Sequence, residues 1–111
     1  MLAYVKGILM ESSPIRAIID VHGVGYEILI PLSTSSKLPQ AGKETILYTT
    51  LVVREDSHTL YGFFDKAEKE FFHLLLNVNG IGPKTALNLI GHFSSDQLSH
   101  AIASNDTTLL S

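Results

Sequence analysis

The hydrophobic residues of this 111-residue chain change their spacing near residue 64. Before that point apolar and polar residues alternate over short runs, which is the period of a half-buried β-strand. After it, apolar residues recur at i, i+3, i+4 and i+7, the period of one face of a helix. The change predicts an all-β region followed by an all-α region. We expect two small domains, residues 1–64 and residues 65–111.

The β region contains five candidate strands separated by turns rich in Gly, Pro and Ser. They are residues 2–10, 16–21, 26–30, 44–53 and 59–64. Residues 31–36, between the third and fourth strands, are rich in Ser and Thr and are compatible with a short helical turn. Five strands interrupted at this place predict a closed OB-fold barrel. An SH3-like barrel is the alternative, because the strand count does not separate the two.

The α region begins with a helix-start signal. Asp65 and Glu68 resemble a capping box, in which Asp65 accepts a hydrogen bond from the backbone at the helix start. This signal predicts a helix that ends near residue 77, and the apolar pattern predicts a second helix from residue 83 to residue 91 or 92. Two further helices are expected within residues 94–111. Because the sequence ends about one turn into the last of them, we expect it to be part of a longer protein.

The connection between the first two helices carries the strongest functional signal. Glycine tolerates the positive φ of a tight reversal, and proline suits the first position of a helix. The free N–H groups of the second helix, with Lys84 beside them, attract phosphate. The pattern predicts a DNA-binding helix–hairpin–helix turn, although a purely structural turn explains it equally well at this point. The residues assigned to it are Asn79, Gly80, Ile81, Gly82, Pro83, Lys84 and Thr85.

Other site chemistries fit the sequence poorly. A P-loop needs glycine directly before Lys-Thr, but Pro83 precedes Lys84 here. A dinucleotide-binding fingerprint needs glycine at the position of Thr85. The five histidines lack metal-ligand spacing, cysteine is absent, and no serine stands in a nucleophile motif. We therefore expect no catalytic activity in this chain, no metal and no cofactor.

An acidic pair, Glu55 and Asp56, lies between the fourth and fifth predicted strands. At a hairpin tip both side chains project into solvent, and charged tips are ordinary in proteins. The functional interpretation is a negative point that repels phosphates and disfavours wrong placements of DNA. Arg54 and Lys6 are expected to supply neighbouring attraction, and both are further candidates for DNA contact.

The net charge of −3 argues against indiscriminate coating of DNA by a monomer. It is compatible with a few aligned phosphate contacts that oligomerisation multiplies. The N-terminus lacks the apolar region of a signal peptide, and no apolar run reaches the ~20 residues of a membrane span. We expect a cytoplasmic protein with no membrane partner.

Five segments, in this order, resemble the RuvA family, the Holliday-junction-binding subunits of the bacterial RuvAB branch-migration machine. They are residues 4–8, 21–27, 52–56, 60–63 and 79–84. The resemblance implies an OB-fold barrel followed by a helical domain with paired helix–hairpin–helix motifs. It also implies a homotetramer that holds an open four-way junction in recombination and repair, as the DNA-binding subunit of a helicase complex whose ATPase is a partner chain.

The resemblance implies roles for particular residues. Glu55 and Asp56 match the acidic pin of the family, near the crossover where strands separate. Gly80, Ile81, Gly82 and Lys84 match its first phosphate-binding hairpin. In the family, a second hairpin and a domain that contacts the RuvB ATPase follow positions equivalent to residue 111. We expect the 111 residues alone not to recruit RuvB and to bind junctions more weakly.

Two other functions stay open from the sequence. One is an oligomerising OB-fold interaction module, and the other is a generic single-strand binder. A single-strand binder needs exposed aromatic side chains on which bases stack. The four tyrosines fall in strand patterns that predict burial, which disfavours that function. They are Tyr4, Tyr26, Tyr48 and Tyr61.

Overall fold

The computed structural model describes residues 2–92, which form five strands and three helices. In chain order the elements are β1 (Tyr4–Ser12), β2 (Arg16–Val21), β3 (Val24–Leu29), α1 (Leu32–Ser35), β4 (Glu44–Arg54), β5 (Ser57–Phe63), α2 (Lys66–Leu76) and α3 (Pro83–His92). The two helices expected within residues 94–111 lie outside the described residues. Within residues 2–92, no helix has the length and apolar composition needed to cross a membrane.

The strands close into a barrel in the order β1-β2-β3-β5-β4. Neighbouring strands are antiparallel, except that β3 and β5 run parallel where Leu29 meets Tyr61. β1 closes the barrel by pairing with the first half of β4, from Tyr4 opposite Tyr48 to Ile8 opposite Glu44. The predicted five-stranded barrel followed by helices is confirmed, and α1 occupies the predicted place between β3 and β4. The barrel is OB-like.

Four of the five strands differ from their predicted bounds, and for β1 and β3 the reason is local. A bulge between Leu9 and Glu11 allows β1 to stay paired with β2 as far as Ser12. The turn between β2 and β3 consists of only His22 and Gly23, with φ values of 52° and 91°. Two successive positive φ values are typical of the tight type I′ hairpin turn, so β3 begins two residues earlier than predicted.

Within residues 2–92 the buried apolar side chains form two clusters, one on each side of the barrel wall. The first fills the barrel and consists of Val5, Leu9, Ala17, Ile19, Ile28, Ile30, Leu47 and Leu60. The second lies between the outer face of β5 and the helices and consists of Tyr61, Phe63, Phe72, Leu75, Ala86, Leu89 and Ile90. At its centre the Phe72 ring lies 5.2 Å from the Tyr61 ring and 5.0 Å from the Phe63 ring. α2 is therefore packed directly on the barrel.

A polar network fixes the start of α2. The side chain of Asp65 accepts a hydrogen bond from the Glu68 N–H at 2.9 Å, as the capping signal predicts. Glu68 does not complete the box, because its carboxylate accepts instead from the hydroxyls of Ser33, at 2.6 Å, and Thr34, at 3.0 Å. The buried Thr34 hydroxyl also accepts from the Phe64 N–H at 3.0 Å. The network joins α1, the end of β5 and α2.

Candidate nucleic-acid interface

The connection between α2 and α3 is a tight turn whose outer side is open. The Val78 N–H donates to the Leu75 carbonyl at 3.0 Å, and the Ile81 N–H donates to the Val78 carbonyl at 3.2 Å. Gly80 has a φ of 86°, the left-handed region that favours glycine. Among the described residues, apart from each glycine and its two chain neighbours, no atom lies within 4 Å of the place a Cβ would take at Gly80 or Gly82. A ligand therefore has direct access to the backbone of the turn.

The start of α3 presents unpaired donors beside this turn. Its first helical hydrogen bond runs from the Ala86 N–H to the Gly82 carbonyl at 3.0 Å. Pro83 has no N–H, so the N–H groups of Lys84 and Thr85 are those that a helix start leaves without an intrahelical acceptor. Both residues are exposed. The helix dipole adds partial positive charge at this end, which makes the position suitable for an anion.

The acidic pair occupies the tip of a protruding hairpin. β4 and β5 stay paired as far as Arg54 opposite Ser57, so that Glu55 and Asp56 form a two-residue turn. All residues from 53 to 58 are exposed, and even the apolar Val53 is 54% exposed. The five-residue connection predicted from the sequence, residues 54–58, is wrong because the strands pair further than their apolar pattern extends. The tip projects both carboxylates into solvent.

Arg54 lies on the outer face of this hairpin. Because strand residues alternate between faces, Arg54 shares a face with Thr50 and Val52. Burial raises the pKa of Tyr61 above its ordinary value, and the positive charge of nearby Arg54 partly offsets that rise. Tyr61 is directly opposite Thr50 on the neighbouring strand. The guanidinium is therefore close to the surface on which α2 packs.

The α2–α3 turn and the acidic tip lie at the same end of the molecule. α2 runs along β4 in the same direction, since the Lys66 amine lies 5.7 Å from the Tyr48 ring centre and His73 Nε2 lies 2.7 Å from Thr50 Oγ1. Further along β4, Val52 packs against the helical cluster that also contacts the α2–α3 turn. The end of α2 and the tip of β4 consequently point the same way.

Lys6 does not belong to this arrangement. It pairs with Ile46, eight residues before Arg54 along β4, a separation of roughly 25 Å at the rise of a strand. Its amine lies 3.8 Å from the Glu44 carboxylate. The prediction that Lys6 neighbours the acidic tip is wrong, because β1 pairs only with the half of β4 that is remote from the tip. A DNA contact by Lys6 stays a prediction.

Comparison with known proteins decides the family. Residues 1–62 match the family model described as the RuvA N-terminal domain. The protein named "Holliday junction branch migration complex subunit RuvA" in Protochlamydia amoebophila is 52% identical over 110 residues, which cover 99% of this chain and 55% of that protein.

The chain belongs to the RuvA family.

Other RuvA proteins give the same result. The proteins of the same name in Pseudomonas syringae and Mannheimia succiniciproducens are 44% and 42% identical over 110 residues. Each match covers 99% of this chain and 54% of the relative. The chain therefore spans about half the length of the RuvA proteins it matches.

The barrel of this RuvA-family chain exposes aromatic side chains that its sequence pattern predicts to be buried. Tyr61 is buried, as predicted, but Tyr4 is 56% exposed, and Tyr26 and Tyr48 are only half-buried. The alternation shows which residues share a face of a strand, but it does not show which face another element covers. Within residues 2–92 no three His, Asp or Glu side chains come together as a metal site.

Proposed function

We propose that this chain is the non-catalytic, structure-selective DNA-binding subunit that holds four-way Holliday junctions for ATP-driven branch migration in recombination and repair. The observation that carries the proposal is the placement of an open Gly80–Gly82 turn and a protruding acidic tip at one end of the molecule. The RuvA names of the relatives support the same activity. We assign residues 1–64 to an OB-fold domain and residues 65–111 to a helical domain that contains the helix–hairpin–helix motif.

In this proposal the turn between α2 and α3 grips phosphate. The open backbone beside Gly80 and Gly82 and the N–H groups at the start of α3 form one donor surface, and exposed Lys84 adds a positive charge in the same helical turn. Asn79 and Pro83 shape the turn at its two ends. Contacts of this kind bind the phosphate backbone and carry no base information. Affinity then depends on how the phosphates of the DNA are arranged in space, so the chain selects a DNA structure and not a base sequence.

The tip acts by repulsion in the same proposal. Two unit charges 4 Å apart repel by about 1 kcal/mol even in water, and the effect is larger where water is partly excluded. Glu55 and Asp56 therefore keep phosphates away from the tip and disfavour an intact duplex across it. Arg54, on the face towards the helices, supplies attraction beside them. DNA strands are steered to either side of the acidic pin.

A homotetramer is the assembly that makes these elements effective. A single turn with one lysine is a weak clamp, and four clamps at fixed spacing bind much more tightly than one. The net charge of −3 per chain is compatible with this arrangement, because a donor surface and an acidic tip occupy separate places. The proposed partner that supplies ATP hydrolysis is RuvB, and the proposed compartment is the cytoplasm.

Competition binding tests this function. A four-way junction, a duplex and a single strand of matched sequence compete for the chain over a series of salt concentrations. We expect the junction to bind most tightly, with the logarithm of the binding constant falling linearly against the logarithm of salt concentration. Equal binding of junction and duplex, or no binding at low salt, contradicts the proposal.

A further inference from the structure

A second surface, along the flank of α2 and β4, has the chemistry of a nucleic-acid site. An open groove of about 530 Å³ runs between α2, strand β4 and the residues that precede β1. Ala3, Thr50, Lys69 and His73 are among the residues that line it. Along β4 the groove extends from Thr49 to Val52. Tyr48 lies next to its Thr49 end, six residues before Arg54 and so roughly 20 Å from the acidic tip along β4.

Two tyrosines lie side by side next to this groove. Tyr4 of β1 is directly opposite Tyr48 of β4. The next pair, Val5 and Leu47, points into the barrel and is buried, so the two tyrosines share the outer face. α2 covers that face over Tyr61, but it leaves Tyr4 56% exposed and Tyr48 partly exposed. Aromatic surface is therefore open to solvent along the flank of the helix.

Two lysines of α2 extend over the same flank. The Lys66 amine lies 5.7 Å from the centre of the Tyr48 ring. The Lys69 amine donates a hydrogen bond to the carbonyl of Ala3, the residue before Tyr4, at 3.3 Å. Lys6 is on this outer face too, but the Glu44 carboxylate 3.8 Å away compensates its charge. The positive charge beside the tyrosines therefore comes from α2.

We propose that Tyr4, Tyr48, Lys66 and Lys69 form a binding surface for single-stranded nucleic acid, with bases stacked on the tyrosines and phosphates at the lysines. Exposed aromatic rings next to cations are the combination that single-strand sites use, because unpaired bases offer their faces. In a duplex those faces are covered by neighbouring bases. An acidic protein segment pairs with the lysines, but its carboxylates do not stack on the exposed tyrosine rings. The surface is additional to the proposed junction clamp.

Stacking is tested with a labelled oligothymidine of about twelve nucleotides, within the site size of an OB-type domain. We expect Tyr4→Leu to weaken binding about five- to a hundredfold, the effect of removing one stacked base, and Tyr4→Phe to retain it. Tyr26→Leu is the matched control, since Tyr26 lies on β3 away from the groove. Binding is measured by fluorescence anisotropy, and each variant is checked for folding by thermal melting.

The phosphate contacts have a separate signature. For single strands each phosphate that is bound contributes about 0.7 to the slope of log binding constant against log salt concentration. Lys66→Gln and Lys69→Gln should each reduce the slope by about that amount, whereas Lys43→Gln, in an exposed turn, should leave it unchanged. Lys84→Ala should leave oligothymidine affinity unchanged while it weakens junction binding.

Several results overturn this inference. Among them are no oligothymidine binding at about 50 mM salt, or unchanged affinity in Tyr4→Leu. If polyglutamate binds as tightly as oligothymidine, the surface belongs to an acidic protein partner. If Tyr4→Leu changes the mass of the assembly in solution, the surface is a contact between copies of the chain. If Lys84→Ala removes oligothymidine binding, the single strand binds at the α2–α3 turn, and the junction proposal is unaffected.

Discussion

At the scale of single residues, Lys84 is the side chain whose removal most directly tests the phosphate clamp. It is exposed in the first turn of α3, so Lys84→Ala should leave the fold unchanged. We expect junction binding to weaken alike for every DNA sequence, and the salt dependence to flatten by about one unit for each phosphate that Lys84 no longer neutralises. Lys43→Ala is the control. If sequence preference changes instead, the clamp interpretation is wrong.

For the acidic tip we predict the opposite effect of a substitution, namely tighter DNA binding. Glu55→Gln combined with Asp56→Asn removes two charges from an exposed two-residue turn, so the stability of the fold should not change. We expect DNA binding to become tighter and less selective, because the repulsion that we propose to exclude duplex from the tip is removed. The measurement is the ratio of junction affinity to duplex affinity. Weaker binding by this double variant contradicts a repulsive role.

The raised pKa of Tyr61 makes the stability of the fold depend on pH in the alkaline range. Burial raises its pKa above 10.0, and the Arg54 charge only partly opposes that effect. The unfolded chain therefore loses the Tyr61 proton at a lower pH than the folded chain does. Its contribution to stability is fully present below pH 10 and is lost as the pH rises through the raised pKa. Denaturation of the wild type and Tyr61→Phe across this range should show a steeper decline in the wild type.

At the scale of elements, the contact between α1 and α2 depends on Glu68. Its carboxylate accepts from two hydroxyls, one of which, that of Thr34, is fully buried. Glu68→Ala leaves that hydroxyl without its acceptor, and we expect stability to fall by about 1–3 kcal/mol. Glu70→Ala, exposed on the same helix, should change stability by less than about 0.5 kcal/mol. Urea denaturation of both variants measures the difference, and equal values would show that the network is not stabilising.

The element types followed from local sequence, but several of their ends did not. Hydrophobic period and capping residues predict β2, α2 and α3 closely, because those signals lie within each segment. The start of β3 and the extent of the β4–β5 hairpin depend on how few residues a turn needs. The bulge in β1 depends on its pairing with β2. These features are set by the partner strand, and the pattern of one segment contains no information about its partner.

At the scale of the whole molecule, the junction proposal requires an assembly. We expect light scattering coupled to size-exclusion chromatography to give four times the mass of one chain. A single chain presents one proposed phosphate clamp and one acidic tip, too few to contact all four arms of a junction. A monomer at micromolar concentration would leave only a weak duplex contact, and it would contradict the tetramer in the proposal. The measurement should be repeated with junction DNA, because the ligand itself stabilises a tetramer that binds it.

The sequence by itself determined the order of strands and helices, the two glycines and proline of the α2–α3 turn, and the acidic pair between β4 and β5. Each of these follows from the conformational preferences of neighbouring residues. Only the tertiary structure decided that the turn and the tip share one end of the molecule, that Lys6 is remote from them, and that Tyr4 is exposed. The physical reason is that these relations depend on pairing and packing between residues far apart in the chain, such as Tyr4 with Tyr48 and α2 along β4. The spacing of hydrophobic residues shows that one face of a strand or helix is to be buried. Which other element buries that face is decided by tertiary packing, when the two hydrophobic clusters form.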